Sequence, residues 1–201
     1  MSQIIQIDYQ DPDAPKLLVK SLHKTGFAVV NNHPIKFELI DSVYKNWNQF
    51  FNSDKKFNYI FHKQIQDGYF PYRSENASGQ NKKDLKEFFH IYPGRRYPKE
   101  INKDTQKIYN QLIEIGSTLL SWMDDNTPIE VKQLFSVSLE SMIQNCQRHL
   151  LRVIHYPPLI GDEIQSEIRA EAHCDINLVT VLVAGSSSGL QVLTNENVWV
   201  D

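Results

Sequence analysis

Residues 4–8 (IIQID) alternate apolar and polar positions with the period of a short strand. Asp11 to Asp13 then offers N-cap chemistry and Pro12 a helix-start signal. In KLLVKSLHKTG, Leu17, Leu18 and Leu22 make one apolar face, and Gly26 is placed as a C-cap. FAVVNN reads as a second strand, rich in residues that favour extended backbone. Over FELIDSVYKNWNQFFNSD the apolar residues Phe37, Ile40, Val43, Tyr44, Trp47, Phe50 and Phe51 recur at helical spacing. That spacing predicts a helix with its aromatic side turned to a core rather than to a ligand.

The pattern weakens between Gly68 and Gly94, where serine, asparagine and glycine predict loop or irregular structure. It returns in TQKIYNQLIEIGSTLLSWMDDN, a helix presenting Ile108, Leu112, Ile115, Leu119, Trp122 and Met123. IEVKQLFSVSLESMIQ suggests a third long helix. After Cys146 the period changes: LLRVIHYPP, INLVTVLVAG, GLQVLT and NVWVD are short β-rich runs separated by turn residues. Helices first and strands last predict an α+β arrangement. A sheet ending at Asp201 would expose an unpaired edge unless another strand follows.

Composition narrows the classes. The 201 residues suit one substantial domain, and 41% hydrophobic with 22% charged residues is ordinary for a globular chain. A net charge of −3 favours neither nucleic acid nor anionic membrane. Cys146 and Cys174 are too few for a disulfide framework and lack zinc-site spacing, which fits a reducing, cytoplasmic setting. The N-terminus lacks the basic region of a secretory signal, and no apolar run reaches about 18 residues.

The candidate chemistry lies in RAEAHCDINLVTVLVAG. On a strand His173 and Asp175 project from one face, with Cys174 turned away. An imidazole and a carboxylate suit Fe(II), which in a two-histidine, one-carboxylate face keeps positions open for oxygen and a cosubstrate. The bare spacing is weak: seven histidines and thirteen aspartates in 201 residues would give about 0.45 such pairs by chance. A surface histidine bonded to an aspartate is the competing explanation.

The surrounding residues carry more. RAEAHCDINLVTVLVAG, the Gly189-Leu190-Gln191 turn, the upstream LRVIHYPP strand, TGFAVVNNHPI, and a Gly-Tyr pair followed by Glu75 and DLKEFF occur in one order. Together they resemble the Fe(II)/2-oxoglutarate-dependent oxygenases, in the branch related to isopenicillin N synthase, over nearly the whole chain. Pro34 departs from the glycine usual in that family.

The resemblance implies a helical N-terminal part (residues 1–100) followed by helices and the first strands of a double-stranded β-helix, or jelly-roll, core (residues 101–201), the core being incomplete here. It implies His173 and Asp175 as metal ligands, Tyr156 near the cosubstrate carboxylate, and Fe(II), 2-oxoglutarate and dioxygen as cofactor and cosubstrates. The substrate would be a small molecule, with no nucleic-acid or membrane partner. Oligomeric state is open, as is the choice between hydroxylation, desaturation and ring closure.

In that family a distal histidine and an arginine in Arg-x-Ser follow later, and no stretch of this sequence matches either. The expectation is therefore of the N-terminal portion of a longer oxygenase, this chain alone being inactive and poorly soluble. Three other readings stay open: an oxidase of the isopenicillin N synthase type without 2-oxoglutarate, a truncated non-catalytic interaction module, and a metal-free β-domain. His155 and His33 are expected to be structural, Arg152 an exposed strand arginine on the face of Tyr156, and His23 a surface cation near a helix end, while His62, His90 and His149 have no partner at metal-site spacing.

Overall fold

The computed structural model describes residues 4–75, 83–144, 146–161 and 167–201, which form a mixed helix-and-sheet protein of two compact units. Residues 1–37, 108–146 and 181–201 make one unit, and residues 38–107 and 147–180 the other.

The first unit begins with β1 (Gln6–Asp8), which pairs in parallel with β2 (Val29–Asn31) across the intervening α1 (Ala14–Thr25). Ala14 and Leu18 are buried along α1, and Ser21 ties the helix to the sheet. Its hydroxyl accepts from the Ile5 amide at 3.2 Å and donates to the Phe27 carbonyl at 2.7 Å. Gly26 ends α1 in the left-handed region (φ 78°), as the sequence predicts, with its amide donating to the Leu22 carbonyl.

Helix α3 (Asp104–Asp125) contributes Ile115, Leu119 and Leu120 to this core, and Trp122 lies 5.1 Å from the Tyr9 ring. The expected third long helix is instead a single turn, α4 (Ile129–Lys132), and a 3₁₀ turn at Glu140–Met142. At the 3₁₀ turn the Ser138 and Ser141 side chains bond the local backbone in place of helical partners.

The second unit is built on an antiparallel sheet in the order β3 (Gly68–Phe70), β4 (Glu87–Ile91), β5 (Leu151–His155). Here the sequence reading fails, because residues 68–94 hold two strands where loop is expected. All five residues of β4 are buried. A centre strand covered on both faces shows no alternation to read.

Alternate residues of the sheet serve two faces. On one, Tyr69, Phe89 and His155 meet α2 (Phe37–Phe51): Trp47 and Phe50 lie 5.3 and 5.8 Å from Phe89, and Phe51 stacks on His155 at 5.2 Å. Trp47, buried as its period predicts, donates its Nε1–H to the Thr105 hydroxyl at 2.9 Å. On the other face Phe61, Phe70 and Phe88 stack in series at 4.2 and 4.4 Å.

The expected strand over residues 176–185 does not form. Asn177 donates to the Val179 carbonyl at 2.7 Å and the Thr180 hydroxyl at 2.8 Å, a side-chain-built turn, and among the described residues no strand pairs with this stretch. Downstream only a two-stranded ribbon appears in the first unit, β6 (Val192–Leu193) with β7 (Trp199–Val200).

Candidate metal and ligand site

The site grows from the face of the β3–β4–β5 sheet opposite α2. Register pairs His90 with Arg152 and Phe88 with Ile154, and one further step sets Lys86 across from Tyr156. After Pro157 the chain returns beside the start of β4. The Leu85 amide donates to the Ile168 carbonyl at 3.0 Å, and the Glu171 amide to Asp84 Oδ1 at 3.2 Å. Arg73 pairs with Glu167 at 2.7 Å, and Arg169 donates to the Pro157 carbonyl at 3.1 Å. These contacts anchor the segment that carries His173 two residues beyond Glu171.

His173 Nε2 and Asp175 Oδ1 lie 3.6 Å apart, both side chains about half exposed. His173 Nδ1 is 2.7 Å from the Glu171 carbonyl, which can only accept, so Nδ1 carries the proton. In the neutral ring Nε2 is then a lone pair directed toward a carboxylate oxygen. Asp175 is itself held, through its other oxygen, by the Thr180 hydroxyl. In that tautomer two acceptors face one another, each oriented from behind by a hydrogen bond, which a metal-ligand pair requires; a protonated ring would instead make the contact an ion pair. Bonds of about 2.1 Å to one ion would span the gap, so the residues fit a divalent metal. Among the described residues no group of three His, Cys, Asp or Glu side chains clusters as a metal site.

Tyr156 is two-fifths exposed at the end of β5. Burial of its phenol raises its pKa; Lys86, Arg152 and Arg169 oppose that rise, and Asp84 adds to it. Lys86, buried, bonds Asp84 at 2.7 Å and lies 3.3 Å from Glu75.

Two buried polar pairs here had no signal in the sequence. His90 lies between the Gln66 carbonyl, 2.9 Å from Nδ1, and Arg152, whose Nε–H donates to Nε2 at 2.8 Å. Burial, reinforced by the Arg152 charge, pushes its pKa down to about 4. Glu87 accepts from Lys56, His155 and Tyr69, and these hydrogen bonds outweigh burial and hold its carboxyl below the usual range. Burial and Glu87 together push the Tyr69 phenol up. His155 is structural, as expected; Arg152 is more than an exposed strand arginine.

Residues 4–114 match the family described as non-haem dioxygenase in morphine synthesis N-terminal. Azadirone synthase LFS of Melia azedarach is 23% identical over 95% of this chain, which spans 64% of that protein. A solved structure from Shewanella oneidensis, described as an oxygenase, is 43% identical with a TM-score of 0.85, over 98% of this chain and 71% of that one. A 2OG-Fe(II) oxygenase family protein of Caulobacter crescentus is 26% identical with a TM-score of 0.73, over 100% and 70%. With its N-terminal half matching that family and nearly its whole length superposing on such oxygenases, the chain belongs to the non-haem Fe(II)/2-oxoglutarate-dependent dioxygenases.

Proposed function

We propose that this chain serves a non-haem oxidoreductase that hydroxylates a small molecule, built on a double-stranded β-helix, with His173 and Asp175 as two of the iron ligands and Tyr156 beside the 2-oxoglutarate carboxylate. The observation that carries the reading is the facing of His173 Nε2 and Asp175 Oδ1 at 3.6 Å, with Nδ1–H committed to the Glu171 carbonyl.

The residues divide the work. The Glu171 carbonyl fixes the histidine tautomer, and Thr180 orients the carboxylate. Asp84 holds the segment in place through the Glu171 amide, and Lys86 fixes the direction of Asp84 through its other oxygen. Tyr156, protonated throughout the physiological range, is a hydrogen-bond donor suited to a cosubstrate carboxylate. Bound Fe(II) supplies the oxygen chemistry, the overall change being substrate C–H, 2-oxoglutarate and dioxygen to substrate C–OH, succinate and carbon dioxide. The distal histidine that the family resemblance expects would be the third ligand.

Anaerobic titration with Co(II), followed by its visible absorption, tests the ligand assignment. We expect one bound equivalent that is lost in both His173→Ala and Asp175→Ala. Equal binding by the wild type and Asp175→Ala would overturn it. Succinate release coupled to substrate oxidation separates this reading from an oxidase that needs no 2-oxoglutarate.

A further inference from the structure

We infer that Arg152, locked in place by His90, receives the carboxylate of an apolar, carboxylate-bearing substrate on the face of the β3–β4–β5 sheet opposite α2. The inference rests on the oxygenase reading and names the substrate class for that site.

The Gln66 carbonyl can only accept, so His90 Nδ1 is its donor and Nε2 is left as an acceptor. Arg152 fills that acceptor with its Nε–H at 2.8 Å, and its guanidinium lies 4.7 Å from the Phe88 ring centre. His90 is 5% exposed, so the imidazole cannot swing away, and its low pKa keeps it neutral beside the cation.

The lock uses one side of the guanidinium and leaves the terminal fork. Nη1 forms an ion pair with Glu75 Oε2 at 3.6 Å, too long for a hydrogen bond, and among the described residues Nη2 makes no hydrogen bond. The neighbouring cation is occupied: Lys86 bonds Asp84 and lies closer to Glu75 than Arg152 does. Glu75 therefore keeps a partner if a ligand takes Arg152. An oriented two-nitrogen edge with spare donors matches the two oxygens of a carboxylate. The Arg152 side chain is about one third exposed, so its edge is within reach of a ligand.

The next side chains on the same face of β5 are Ile154 and Tyr156, 37% and 40% exposed. Arg152 to Tyr156 spans roughly 13 Å of strand. That strip offers a charged head, then the Ile154 side chain and the ring of Tyr156, whose hydroxyl is left for the cosubstrate, so it fits an acid on a hydrophobic skeleton.

The test uses the full 201-residue chain with cinnamate and 4-phenylbutyrate as probes, each against its carboxamide, by titration calorimetry. We expect the acids to bind at least tenfold tighter than the amides. Arg152→Gln should bring acid and amide within twofold, Arg152→Lys should keep part of the preference, and Glu75→Gln should tighten the acids several-fold. Equal binding of acid and amide by the wild type, no acid binding, or an undiminished preference in Arg152→Gln would each overturn the inference. The wild-type comparison stands even if a variant misfolds. Titration with 2-oxoglutarate separates the other carboxylate source: its affinity should be unchanged in Arg152→Gln, and a loss confined to 2-oxoglutarate would overturn the assignment. Co(II) binding is measured on the same samples. Its absence with acid selectivity intact sinks the His173–Asp175 metal-site reading alone; its presence without acid selectivity sinks this inference alone.

Discussion

Glu87 on β4 and His155 on β5 are register partners, and the carboxylate accepts from His155 Nδ1 at 2.7 Å. The same carboxylate takes Lys56 and Tyr69, so one buried acid joins both strands of the β4–β5 pair to β3 and to the 3₁₀ turn at Asp54–Tyr59. Tyr156 follows His155 directly, which makes this network the foundation of the site end of β5.

Removing that charge should be costly. Glu87→Gln leaves Lys56 and His155 without their anion, and we expect a loss of about 2–4 kcal/mol, read from the urea midpoint. A midpoint unchanged within error would show that the network contributes only geometry.

His90 predicts a pH dependence of stability. Its folded pKa, about 4, lies below the ordinary 6.5, so between these values the unfolded chain binds a proton that the folded one does not. Stability should be full above about pH 6.5 and fall as the pH drops toward 4, by up to about 3 kcal/mol. Thermal melts of the wild type and His90→Gln over that window check it. The variant should lose this part of the slope, and a parallel slope would refute the assignment.

Thr180 holds Asp175 from behind. Thr180→Val keeps the shape and removes the hydroxyl, and Co(II) affinity should fall roughly 10- to 100-fold. Unchanged affinity would mean that Asp175 is oriented by other means once metal is bound.

Gly68 starts β3 with φ 99°, and a Cβ there would stand 2.4 Å from the Tyr59 carbonyl oxygen and 2.7 Å from Arg96, which itself bonds Asp67 and the Ile60 carbonyl. Gly68→Ala should cost about 3 kcal/mol through backbone conformation and clash. A denaturation midpoint near the wild-type value would sink that account.

The three long amphipathic segments were legible wherever one face is buried and the other is wet. Trp47, Phe50 and Phe51 on α2, and Ile115 and Leu119 on α3, sit in the core as their 3.6-residue spacing predicts. Gly26 was legible because few residues other than glycine hold its backbone angle comfortably. EFFHI was not, because burial on both faces erases the period, and its polar members Glu87 and His90 are satisfied by partners from Lys56 to His155 far along the chain.

The sequence by itself determined the family through its motifs and the helices that bury one face, and it nominated His173 and Asp175 through the resemblance rather than through their spacing. These depend on neighbours within a few positions, where periodicity and motifs act directly. Only the tertiary structure decided that Glu87–Ile91 form the centre strand of a sheet, that His90 serves Arg152 across 62 positions, and that Asp84 anchors the segment bearing His173 from 87 positions away. Such pairings are chosen by which buried polar groups can satisfy one another once the chain has closed on itself, and no local pattern encodes that choice.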